Sequence, residues 1–160
     1  MDVHEDLVAG VRLMLLQVLA ADVVIHLTVI LPRLRAVRAS GEFPRIVTTA
    51  MALSIVAIVA GAVAVRAGAL SRRTAYRLLV ALMLAEVLAW VVFHNTGTAG
   101  GHTHDTGLLT SVRQHLAAGV VEGVAKTVEL LAAALAVVLL RIDAAGPRGR
   151  ADAGRGEAET

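Results

Sequence analysis

Four long apolar stretches, separated by short polar or basic segments, dominate the pattern of this 160-residue chain. The clearest, IVTTAMALSIVAIVAGAVAV, covers residues 46–65 and contains no charged side chain. Its length matches the hydrocarbon core of a bilayer, which is about 30 Å thick. A helix that is apolar on every side needs either lipid or a large protein around it, and a chain of this length cannot surround it. The pattern therefore predicts membrane-spanning helices.

The other three stretches predict helices over about residues 7–31, 74–94 and 112–140. We expect Pro32 to end the first of them. Acidic residues precede that helix, so we interpret it as a mature transmembrane helix and not as a signal peptide. Short linkers favour antiparallel neighbours. We predict an all-α integral membrane protein, a four-helix up-down transmembrane bundle within residues 1–141, followed by a disordered tail over residues 142–160.

The distribution of arginine predicts the orientation of this bundle. Four crossings put the N-terminus, the second linker and the C-terminal tail on one side, and that side carries eight arginines against five on the other. Cytoplasmic loops carry the excess of basic residues. We therefore expect a multi-pass protein of the cell membrane with both termini in the cytoplasm.

Composition narrows the function classes. The formal net charge is +2, but the arginines lie at the ends of apolar stretches and only four residues are aromatic, so we do not expect nucleic-acid binding. The absence of cysteine excludes thiol–disulfide chemistry, thiolate metal sites and iron–sulfur clusters. Neither a nucleophile–base pattern nor a phosphate-binding loop is present, which favours a binding protein over an enzyme.

Five of the six histidines are predicted to lie in one half of the bundle. In any four-crossing bundle, the end of the first helix, the end of the third, the third linker and the start of the fourth share one side. Imidazole nitrogens suit Cu(II), zinc and nickel. We therefore predict a transition-metal site, with copper preferred, in the non-cytoplasmic half, where two loop histidines capture the ion and three histidines form the inner ligands. The loop residues are His102 and His104, and the inner residues are His26, His94 and His115.

Buried charge is the second candidate feature. In HLAAGVVEGVAKTVEL, residues 115–130, the side chains of Glu122, Lys126 and Glu129 fall on one face of a helix. Charged groups near the bilayer centre cost about 2.5–3.5 kcal/mol each, so we expect this face to meet the polar faces of the first and third helices. Those faces carry Asp22 and Glu86, which would support the metal ligands. The stripe is either a proton or cation relay or a structural ion pair, and the sequence leaves both open.

The segment VIHLTVILPRLRAVRASGEFPRIVTTAMALSIVAIVAGAVAV, residues 24–65, resembles the first two helices of the copper-resistance D (CopD-like) membrane family. KTVELLAAALAVVLL, residues 126–140, is similar to the glutamate-bearing last helix of that domain. The Trp-x-Gly-Gly element of the family's first helix is absent. The resemblance implies copper handling across the membrane, with His26 as a copper-related residue.

Two other functions remain open at this point. Two histidines at one depth on facing helices could bind haem b, which would make the protein a small redox or accessory subunit of a membrane complex. Alternatively, the buried charges could serve only to pack the helices. Faces rich in Gly and Ala are also compatible with a homo-oligomer or a larger membrane assembly.

Overall fold

The computed structural model describes residues 3–41, 45–96, 110 and 119–143, with the backbone alone for 94–96. These residues form four α-helices, and strands are absent from the described part of the chain. Each helix is long and apolar enough to cross a membrane, as the hydrophobic pattern predicts. The helices are α1 (Val3–Ser40), α2 (Ile46–Arg66), α3 (Arg72–Thr96) and α4 (Val120–Ile142).

Helix α1 is longer than the sequence predicts. The hydrophobic pattern predicts an end near residue 31, whereas α1 continues through Pro32 to Ser40. Proline removes one backbone N–H from the helical ladder, but membrane helices tolerate it because neighbouring groups satisfy the freed carbonyl. The helix ends instead where Gly41 adopts a φ of 71° and donates its N–H to the carbonyl of Val37 at 2.9 Å. This left-handed cap is the usual end of an α-helix, and glycine adopts it without strain.

Helix α4 lies at the centre of the packing. It packs extensively against both α3 and α1, whereas α2 makes smaller contacts with α1 and α3. Small side chains on α4, including Ala132 and Ala136, are fully buried and allow its neighbours to approach closely. Large apolar side chains such as Leu53 and Val56 of α2 are exposed on the outer surface, which is compatible with contact with lipid.

Two sets of contacts give the directions of the helices. At one end, Arg12 of α1 bonds to Tyr76 near the start of α3 and to Asp143 just after α4. Further along, His26 of α1 lies beside Glu129 of α4. Because α1 residue numbers increase between these contacts while α4 numbers decrease, the two helices are antiparallel. The contacts therefore agree with the predicted up-down arrangement for α1 and α4.

Candidate metal centre

A cluster of ionisable side chains lies inside the bundle, where α1, α3 and α4 meet. Helix α1 contributes Asp22 and His26, which are stacked one helical turn apart. Asp22 is 0% exposed and His26 is 5% exposed. Glu129 of α4 is also 0% exposed, and Glu86 of α3 completes the group. Ionisable groups inside membrane bundles are rare and are associated with ion paths and binding sites.

The imidazole of His26 is held by its own helix. Nδ1 lies 3.0 Å from the carbonyl oxygen of Asp22 and 3.3 Å from Oδ1 of the same residue. If Nδ1 carries the proton, it donates to that carbonyl and leaves a lone pair on Nε2. Nε2 faces α4 and lies 3.9 Å from Oε1 of Glu129. A backbone carbonyl that fixes one ring nitrogen in this way is a common support for a metal-binding imidazole.

Three side chains converge closely enough to share one ion. One ligand atom each from Asp22, His26 and Glu86 lies within 4.8 Å of the other two. Metal–nitrogen and metal–oxygen bonds of about 2.0–2.2 Å hold tetrahedral ligands about 3.4 Å apart. A shared coordination shell would therefore require these side chains to draw closer together than the 4.8 Å limit.

The carboxylates of this triad have unused bonding capacity. Both oxygens of Asp22 and both of Glu86 are shielded from solvent, and none makes a hydrogen bond within the described ranges, although Oδ1 of Asp22 lies 3.3 Å from Nδ1 of His26. A buried polar group without a partner costs about 1–3 kcal/mol, and a charged one costs more. A cation between these oxygens would remove that cost. The unsatisfied oxygens are thus an independent indication of a ligand, separate from the acidic character of the cluster.

Glu129 differs from the other carboxylates because it has a cationic partner. Lys126, one turn earlier on α4, donates to both Oε1 and Oε2 at 2.6 and 2.7 Å. The Lys126 side chain is 14% exposed. Lys126 is the only lysine in the sequence, in which the other basic residues are arginine.

The formal charges of the cluster do not balance when all three of its carboxyl groups are ionised. Three carboxylates contribute −3 and one ammonium contributes +1, so the sum is −2 when the imidazole is neutral. Charge of one sign in a low-dielectric interior is unfavourable unless it is neutralised. A divalent cation would bring the sum to zero, as would two protons on the carboxyl or imidazole groups.

The structure brings together half of the residues that the sequence singles out. Asp22, His26, Glu86, Lys126 and Glu129 belong to the cluster. Glu122 is exposed near the start of α4. The remaining predicted ligands stay predictions, because the His94 side chain and all of His102, His104 and His115 lie outside the described residues.

Some polar contacts were not foreseen from the sequence. Arg12 shares a helical sector with Asp22, yet it lies about 15 Å closer to the start of α1. It bonds to Tyr76 and Asp143 and not to the cluster around Asp22. On α2, Thr48 is 3% and Ser54 is 5% exposed. A signal for Ser54 is visible in the sequence, since it is a polar residue in the middle of an uncharged apolar helix.

Comparisons with protein-family models, with curated proteins and with solved structures find no match to this chain. The resemblance to the copper-resistance D family therefore stays a prediction, and the geometry of the site is the basis for a proposed function.

Proposed function

We propose that this protein is a multi-pass protein of the cell membrane that binds a divalent transition-metal ion inside its helix bundle. Asp22, His26 and Glu86 are the proposed ligands. The observation that carries the proposal is the convergence of three ligand atoms within 4.8 Å, together with the four carboxylate oxygens of Asp22 and Glu86, which are buried without a hydrogen bond in the described structure. We retain the predicted orientation, with both termini in the cytoplasm.

The donor set guides the choice of ion. One imidazole and two carboxylates suit Zn(II), Mn(II), Fe(II) or Cu(II), whereas Cu(I) prefers the sulfur of thiolates and thioethers. Copper, which the sequence favours, would therefore bind here in its divalent form. Whether the protein stores the ion or passes it across the membrane depends on how the site connects to each side. The predicted capture by His102 and His104 would supply the non-cytoplasmic side.

The other functions have less support at this site. Haem b requires two axial ligands; His26 is one candidate, and the side chains of the predicted second imidazoles, His94 and His115, lie outside the described residues. A pure packing role fits the pair between Lys126 and Glu129. A packing role does not account for the buried carboxylate of Glu86, because packing alone would favour an apolar side chain at that position.

The experiment is metal binding by full-length protein purified in mild detergent with a non-histidine affinity tag. After treatment with a chelator, the protein is dialysed against Zn²⁺, Mn²⁺ or Cu²⁺, and bound metal is measured by elemental mass spectrometry. We expect about one tightly bound ion per chain, and a loss of affinity of at least about tenfold in both His26→Ala and Glu86→Gln.

Two controls locate the bound ion. His4→Ala removes an imidazole from the beginning of α1, about 33 Å along the helix from His26, and should bind as the unaltered protein does. His102→Ala with His104→Ala tests capture in the loop and should leave the bound ion in place. If the His26→Ala, Glu86→Gln double variant keeps full affinity, the proposed site is wrong.

A further inference from the structure

Lys126 and a bound metal ion would occupy the same region of the bundle interior. The Lys126 ammonium donates hydrogen bonds to both carboxylate oxygens of Glu129. Oε1 of Glu129 in turn lies 3.9 Å from Nε2 of His26. Nε2 is the ring nitrogen that the backbone contact of Nδ1 leaves available as a ligand. A carboxylate beside a ligand nitrogen is well placed to join the same coordination shell.

We propose that Lys126 is a built-in competitor for Glu129, which the ammonium holds until an ion at the triad displaces it and Glu129 becomes a further ligand. This inference depends on the proposed metal site and adds a regulatory element to it. A divalent ion attracts a carboxylate more strongly than an ammonium does, because its charge is doubled and its bond to oxygen is shorter.

The side chain of lysine suits this role better than that of arginine. Its ammonium is a compact charge on a flexible stem, so it can leave Glu129 by rotation about single bonds. The Lys126 side chain is 14% exposed, so the bundle does not enclose it completely. Arginine would hold the carboxylate with a planar fork and release it less readily.

The first test uses the unaltered protein, and therefore does not depend on the folding of a variant. Because the chain has a single lysine, protein labelled with ¹³C at lysine Cε gives one side-chain signal for this position. We expect titration with Zn²⁺ to shift that signal and to saturate at the concentration at which Zn²⁺ binds. A signal that stays unchanged while Zn²⁺ binds would overturn the proposal.

The second test measures Zn²⁺ affinity in variants. Lys126→Met should raise the affinity at least about tenfold, because it removes both the competitor and a repelling charge. Lys126→Arg, the matched control, keeps the charge and should bind no more tightly than the unaltered protein. Affinity that is unchanged or lower in Lys126→Met contradicts the proposal.

A double variant separates competition from simple charge repulsion. In a Glu129→Gln background, most of the gain from Lys126→Met should disappear, because the ligand that it frees is gone. A gain of undiminished size would mean that Lys126 acts only through its charge, and would overturn the inference.

The outcomes also separate the two proposals. If the unaltered protein binds none of the ions tested, the metal site itself fails. If it binds Zn²⁺ through His26 and Glu86 but Lys126→Met gains nothing, the competitor role alone is wrong.

Discussion

Nη2 of Arg12 lies 2.8 Å from both carboxylate oxygens of Asp143, which follows it by 131 residues in the chain. Nε of the same guanidinium donates to Oη of Tyr76 at 3.1 Å. These bonds connect the first part of α1 with the start of α3 and the end of α4. They lie about 15 Å along α1 from Asp22, so the bundle separates a structural polar contact from the candidate site.

The first prediction concerns this contact. The Arg12 and Asp143 side chains are 29% and 34% exposed, so solvent weakens their attraction. Arg12→Met and Asp143→Asn should each lower the free energy of unfolding by about 1 kcal/mol, measured by reversible denaturation in detergent. Arg141→Met, which removes an exposed charge from the same region, is the control and should have little effect. Zn²⁺ affinity should not change in any of the three.

Glu86→Gln should weaken metal binding at least about tenfold without weakening the fold. Its carboxylate oxygens are buried and unpartnered within the described residues, so replacing a charge with a neutral amide removes an unfavourable term. Thermal unfolding of the chelator-treated variant should show a midpoint equal to or above that of the unaltered protein. A midpoint lower by more than about 8 °C, which corresponds to a loss of over 2 kcal/mol, would assign Glu86 a structural role.

Lys126→Met should destabilise the protein in the presence of chelator. It removes the partner of Glu129, which is fully buried, and an orphaned buried charge costs about 3–5 kcal/mol. Adding Glu129→Gln should restore most of that stability, because the unpaired charge disappears with it. Denaturation of both variants and of Glu129→Gln alone gives the coupling energy of the pair. A coupling near zero would show that the short contact contributes nothing to stability.

Two glycines, one inside α2 and one just after its end, should respond in opposite directions to alanine. An added Cβ at Gly61, inside α2, meets nothing within 4 Å, so Gly61→Ala should raise the free energy of unfolding by about 0.5–1 kcal/mol. Gly68 follows α2 with a φ of 73°, so Gly68→Ala should lower it by about 1–2 kcal/mol. The same denaturation experiment compares them. Equal effects of the two substitutions would contradict the described end of α2.

The helical class of this fold could be predicted from the sequence because lipid imposes a simple length rule. Twenty consecutive uncharged residues in α2 allow one interpretation in a chain this short. The end of α1 could not be predicted in the same way. The proline rule is derived from exposed helices in water, whereas α1 continues through Pro32 and ends at a glycine cap.

The cluster was partly predictable for a similar reason. Buried charge is expensive, so in helices apolar enough to cross a membrane Asp22, Glu86 and Glu129 are expected to face one another. The bonding partner of Arg12 was harder to predict from the sequence. Arg12 shares a sector with Asp22, and only the distance along the helix axis shows that it contacts Asp143 instead. A helical wheel shows which side of a helix a residue occupies, but not its position along the helix axis.

X-ray absorption spectroscopy of the bound metal tests the central claim most directly. We expect a first shell of one imidazole nitrogen and two or three carboxylate oxygens at about 2.0–2.2 Å, as the Asp22, His26 and Glu86 donors require. The imidazole signature should vanish in His26→Ala. A shell with two or more imidazoles that survives His26→Ala would place the ion outside the bundle cluster and contradict the account.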